Sequence, residues 1–168
     1  MRSKLLLALS CLCVLQMPVF AESYQVRVTS VIDGDTLLVN HNGQKEKVIL
    51  YGVDCPELGQ NAGADAKQFT DACCYKKDVT LEVRGRDKFN RIVAFVLLSD
   101  GANLNYELVK RGLAWWSDKF APDNAELKRL HNEARAAKIG LWSAPDPVAP
   151  WIFRNGDKSV QATIRPAQ

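Results

Sequence analysis

The chain has 168 residues, enough for one domain with a hydrophobic core. Its 22 Lys and Arg against 19 Asp and Glu give a formal charge of +3. That near balance excludes a broad basic face, so any grip on a polyanion has to be local.

Met1-Arg2-Ser3-Lys4 is a short basic start, followed by an apolar run from Leu5 to Leu15 and then Val19-Phe20-Ala21. The run is too short to span a membrane, and the pattern is that of a secretory signal peptide cut after Ala21. A lipid-modified Ser10-Cys11 would leave almost no apolar stretch before the cysteine. Removing residues 1–21 takes Arg2 and Lys4 with it and lowers the formal charge to +1. The mature protein is expected to be secreted or periplasmic, a monomer with no membrane attachment. Cys55, Cys73 and Cys74 remain, and export permits a disulfide. Vicinal Cys73–Cys74 pairing is geometrically strained. Cys55 with either of them, or three thiols, both stay open.

Residues 24–32 alternate and are β-branched, which predicts a strand. Asp33-Gly34 predicts a turn, and Thr36 to Asn40 a second strand. Asn42-Gly43 is a hairpin signal, and Glu46 to Val53 a third strand ending before Pro56. Over 59–75 the period becomes helical, with Ala62, Ala66, Phe69 and Cys73 on one face. Asp78 to Arg84 and Ile92 to Leu98 are two more strands around a polar loop. A short helix follows from Leu104 to Arg111, with Asn103 as N-cap and Gly112 as stop. A third helix runs from Pro122 to Ala137, with Leu127, Leu130 and Ala134 on one face and Gly140 at its end. The reading divides the chain into a signal peptide at 1–21, a domain at 24–144 and a Pro-rich, then polar, tail at 145–168. Poor order is expected after about Asn155. Five strands with a helix between the third and fourth predict an α+β fold, a five-stranded OB-fold β-barrel with three α-helices.

Two acidic clusters flank the hairpin: Asp33-Gly34-Asp35-Thr36 and Asp54-Cys55-Pro56-Glu57. Antiparallel pairing brings the start of one strand beside the end of the next, and so Asp35 beside Asp54. Two like charges side by side need a proton or a cation between them. Carboxylate oxygens suit a hard cation such as Ca²⁺. Each cluster could instead cap its own turn, as Asp33 is expected to do. Glu57 could orient or deprotonate a water, or it could place charge at the start of the next helix. Arg91 could grip a phosphate with its fork or be a surface arginine. Lys88 and Phe89 share its loop. Trp115-Trp116 could stack bases or fill the core, and Trp142 and Trp151 are expected to anchor the chain end. His41 and His131 form no metal or triad pattern and are placed on the surface.

In their order the motifs resemble the staphylococcal (micrococcal) nuclease, or thermonuclease, family over roughly residues 25–143. They are Val31-Ile32-Asp33-Gly34-Asp35-Thr36, Leu50-Tyr51-Gly52-Val53-Asp54-Cys55-Pro56-Glu57 and Asp87-Lys88-Phe89-Asn90-Arg91. After these come Asn105-Tyr106-Glu107-Leu108-Val109, Gly112-Leu113-Ala114 and Gly140-Leu141-Trp142-Ser143. The resemblance implies an OB-fold with three helices and Ca²⁺-dependent hydrolysis of DNA and RNA. It implies that Asp35 and Asp54, with the backbone carbonyl of Cys55, ligate Ca²⁺, that Glu57 handles the attacking water, and that Arg91 and Lys88 hold phosphate. Phe89 stands where the family commonly has a tyrosine.

A second family arginine is missing, because its position is Ile49 in Lys47-Val48-Ile49-Leu50. Lys47 shares the strand face of Ile49 but lies about 6.6 Å away at strand rise, and an ammonium does not reproduce a bidentate fork. The expectation is therefore an exported Ca²⁺-dependent endonuclease on single-stranded or frayed DNA and RNA, with activity lowered by Ile49. The alternatives are a weakened OB-fold module that only binds single strands, or a Ca²⁺-stabilised structural domain.

Overall fold

The computed structural model describes residues 22–156. The expected signal peptide at 1–21, and nearly all of the stretch expected to lose order after Asn155, lie outside the described residues.

Strand β1 (Ser23–Val31), β2 (Thr36–His41) and β3 (Gln44–Leu50) form an antiparallel meander. The β2–β3 turn is Asn42-Gly43, both with positive φ (51° and 84°), as a tight hairpin requires. A two-residue strand β4 (Val53–Asp54) precedes helix α1 (Gly63–Cys74). Strands β5 (Asp78–Arg86) and β6 (Ile92–Leu97) pair with each other. β5 then pairs antiparallel with β1, and β6 runs parallel to β3. The ring β1-β2-β3-β6-β5 is closed, so the five-stranded OB-type barrel and the α+β class stand as expected.

Alternation along the strands sends Val28, Leu37, Val39, Val48, Leu50, Leu81, Ile92 and Val96 into the barrel, all at or near zero exposure. Helix α2 (Leu104–Lys110) is capped by Asn103, whose side chain accepts the Tyr106 N–H. It adds Leu104 and Leu108 to the same core. Asn105 is fully buried and fully used. It accepts the Val96 N–H and donates to the carbonyls of Tyr51 and Ala94, clamping α2 to the barrel.

The small strand β7 (Trp115–Trp116) pairs with β4, which the sequence reading had merged into the third strand. Helix α3 (Ala125–Ala136) begins three residues inside the expected start, and Asn124 is its N-cap, accepting the Leu127 N–H. A 3₁₀ turn (Gly140–Ser143) and a fourth helix, α4 (Pro150–Arg154), complete the described chain. Helix α4 falls in the stretch read as tail. It has five residues and Pro150 at its first position, too short to show a helical period in sequence.

One further expectation changes. His131 is buried, not on the surface. Its Nδ1 accepts the Trp116 N–H at 3.3 Å, and its ring packs against Trp115, Trp116 and Trp142. His41 is half-exposed and stacks on Tyr24 with ring centres 4.3 Å apart. The question left open over the cysteines resolves to three free thiols. Cys74 is buried and donates to the Thr70 carbonyl, and burial pushes its thiol up to about 12. Among the described residues no helix is long and apolar enough to cross a membrane.

Candidate active site

The two acidic clusters meet at one end of the barrel. Thr36 pairs with Ile49 in the β2–β3 ladder, and the Leu50 N–H donates to the Asp35 carbonyl. The chain then doubles back through Gly52, so that the Cys55 N–H donates to Asp35 Oδ2 at 2.7 Å. That bond ties the clusters directly together. Asp33 caps the turn as expected, accepting the Asp35 N–H. Thr70 on α1 donates to the Gly34 carbonyl at 2.7 Å. Gly34 leaves no room for a side chain, since a Cβ there would lie 2.7 Å from Cys55 Cβ and Sγ and 2.8 Å from Ala66 Cβ.

The partners of the Asp35 carboxylate are the Thr36 hydroxyl (3.1 Å) and the Cys55 N–H, neither of them charged. Burial, then the neighbouring Asp33 charge, push the Asp35 carboxyl well above its ordinary range. The Cys55 N–H opposes that rise and Asp54 adds to it. The Cys55 thiol is buried, and its proton is held tightly by burial and by Asp35. A Cys55 thiolate is therefore disfavoured.

Asp54 and Glu57 face an arginine that the sequence reading did not single out. Arg154 of α4 spans both Asp54 oxygens, at 2.9 and 2.7 Å, and its first nitrogen also donates to Glu57 Oε1 at 2.7 Å. The bonds to Asp54, then those to Glu57, raise its pKa further and keep it charged. Gln60 stands behind this arrangement. It accepts the Glu57 N–H at 2.8 Å and donates to the Val148 carbonyl at 2.9 Å, joining the Glu57 loop to the segment that carries α4.

Arg91 and Lys88 lie on the loop between β5 and β6. Asp87 organises that loop, accepting the Phe89 and Arg91 N–H groups and the Arg91 Nε–H at 2.6 Å. Burial alone would raise the Asp87 carboxyl, but the hydrogen bonds from Arg91 and Phe89 together hold it below its ordinary range. Arg91 and Lys88 both sit over the Phe89 ring, at 5.3 and 5.0 Å. Phe89 is 66 % exposed. Beside them opens a groove of about 590 Å³ lined by Tyr51, Arg84, Lys88, Arg91, Lys119 and Phe120. Cations interleaved with exposed rings can hold a sugar–phosphate chain and stack its bases.

Trp115 does not belong to this groove. It packs against Trp142, His131 and Trp151. Ile49 is half-buried, between Thr36 and Val93, and Lys47 on its strand face is exposed. Neither side chain brings a guanidinium to the site.

A family model described as staphylococcal nuclease homologue matches residues 47–144, more than half of the chain. The chain belongs to the staphylococcal nuclease family. An uncharacterized endonuclease of Escherichia coli is 37% identical over 138 residues, covering 82% of this chain and 90% of its own. A micrococcal nuclease of Shigella flexneri is 28% identical over 155 residues, covering 87% and 88%. A thermonuclease of Staphylococcus intermedius is 36% identical over 133 residues, covering 72% and 76%. The stretch matched by the staphylococcal nuclease family model includes Asp54, Cys55, Glu57, Lys88 and Arg91. Asp35 precedes it and Arg154 follows it.

Proposed function

We propose that the chain is an exported, Ca²⁺-dependent endonuclease that hydrolyses phosphodiester bonds in single-stranded or frayed DNA and RNA, acting as a monomer. One observation carries this reading: the Asp35 and Asp54–Glu57 turns are tied together at one end of the barrel, and Tyr51, three residues before Asp54, lines the groove that also holds Lys88 and Arg91. Nucleic-acid binding alone would not need two acidic turns brought together.

Among the described residues no group of three or more His, Cys, Asp or Glu side chains is placed to hold a metal ion. The donor set that fits a hard cation is two carboxylates and a carbonyl. Asp35 fits best, being ionisable, partly buried and without a positively charged partner. Asp35, Asp54 and the Cys55 carbonyl would hold Ca²⁺, which when bound supplies Lewis acidity toward a phosphoryl oxygen. Glu57 would take the proton of an attacking water. Arg91 would stabilise charge developing on the phosphate. Lys88, Phe89 and Phe120 would hold the flanking nucleotides.

The test is a cleavage assay on protein lacking residues 1–21, with single-stranded DNA and RNA, in Ca²⁺ and with chelator. Cleavage that requires the cation and is lost in Asp54→Asn supports the assignment. No cleavage in millimolar Ca²⁺, with salt-sensitive binding retained, would establish the binding-only barrel that Ile49 favours.

A further inference from the structure

Helix α4 carries a guanidinium into the acidic centre from a segment that the family match does not cover. The placement is built. Trp151 packs edge-on against Trp115, with ring centres 5.5 Å apart. Gln60 holds the Val148 carbonyl. Arg154 then contacts Asp54 and Glu57, 100 and 97 residues earlier in the chain. Its side chain is still 47% exposed, which leaves it room to turn.

Charge says what it is for. Asp33, Asp35, Asp54 and Glu57 bring up to four negative charges to the centre, and a divalent cation would cancel two. The centre would then still be negative and would repel a phosphodiester. Arg91 does not correct this, because Asp87 matches its charge. Ile49 contributes none. Arg154 offsets part of the negative charge that remains.

Resting on the nuclease reading above, we propose that Arg154 is a phosphate-binding residue of the active site. When a cation shares Asp54, the fork that now spans the two Asp54 oxygens turns to two oxygens of the phosphodiester. A planar guanidinium suits both partners, since each presents paired oxygens.

The test compares wild type, Arg154→Ala and Arg154→Lys for filter binding of a phosphorothioate-linked single strand in Ca²⁺ across a salt series. Cleavage of ordinary single-stranded DNA is measured in parallel. Arg154→Ala is expected to bind about tenfold more weakly and to lose about 0.7 from the log–log salt slope, one phosphate contact. Its kcat/KM is expected to fall about a hundredfold, with only partial recovery in Arg154→Lys. Unchanged affinity and slope would overturn the proposal. So would an Arg154→Ala protein that binds and cleaves better at lower Ca²⁺, which would make the arginine a competitor of the cation. If Arg154→Ala melts below the assay temperature, the slope is read on Arg154→Gln. If wild type cleaves nothing, the nuclease reading falls, while the salt slopes still decide the role of Arg154.

Discussion

Gly34 and His131 show how much a single position carries. A methyl at Gly34 would press on Cys55 and Ala66 from less than 3 Å. Gly34→Ala is expected to cost about 1–3 kcal/mol in urea unfolding and to shift the acidic turn, lowering cleavage as well. For His131 the physics is protonation. Burial, then nearby Arg135, hold its pKa below the ordinary value of 6.5, so the folded protein prefers the neutral ring. Its stabilising contribution is complete above about pH 6.5 and is lost as pH falls through the lower, folded-state pKa. The drop in urea midpoint between pH 7 and pH 5 should therefore be smaller in His131→Gln than in wild type, and an equal drop would refute this. The meeting of the Asp35 and Asp54 turns was readable because each is a short local motif flanking one hairpin. His131 was misplaced, although it continues the Leu127, Leu130, Ala134 stripe of α3. The absence of a metal or triad pattern says nothing about burial, which its place on that stripe decides. Arg154 left no local trace, since its partners are about a hundred residues away.

At the scale of elements, the strands of the barrel were legible from alternation and from the Asn42-Gly43 turn. Both are local rules that the closed sheet then enforces. The β4–β7 pair was not, since two-residue strands carry no period. Helix α4 was hidden for the same reason, and its place is fixed by tertiary contacts to Trp115 and Gln60. Gln60 joins the Glu57 loop to the segment preceding α4 by two hydrogen bonds. Gln60→Ala leaves the Glu57 N–H without its partner and is expected to cost about 1–3 kcal/mol. It should also lower cleavage more than binding, because it loosens Glu57 while leaving the groove at Phe89 and Phe120 untouched. Equal losses in both would show that Gln60 acts only through overall stability.

For the molecule as a whole, the barrel holds one end in electrostatic tension, with Asp33, Asp35 and Asp54 crowded together. A cation that binds only the folded state relieves that tension and stabilises by mass action, by about 2.7 kcal/mol at a hundredfold excess over its dissociation constant. Ca²⁺ is therefore expected to raise the melting temperature of the mature protein, chelator to reverse the rise, and Asp35→Asn to remove it. A melting temperature indifferent to Ca²⁺ in wild type would contradict the proposed metal site. The α+β barrel was legible before any coordinates because the hydrophobic pattern and the turns agree. The anchoring role of Trp142 and Trp151 was legible too, and Trp115 receives both rings. The approach of Arg154 to Asp54 and Glu57 was not, because it depends on where those rings seat α4.

Those rings give the molecule an optical handle. Three of its four tryptophans, Trp115, Trp142 and Trp151, share one cluster with His131. Trp151 lies three residues from Arg154, on the same short helix. Any movement of that helix away from Trp115 would change the surroundings of two indoles at once. The intrinsic emission of the unlabelled protein can therefore follow the arginine's segment in real time, as cation and oligonucleotide are added in turn.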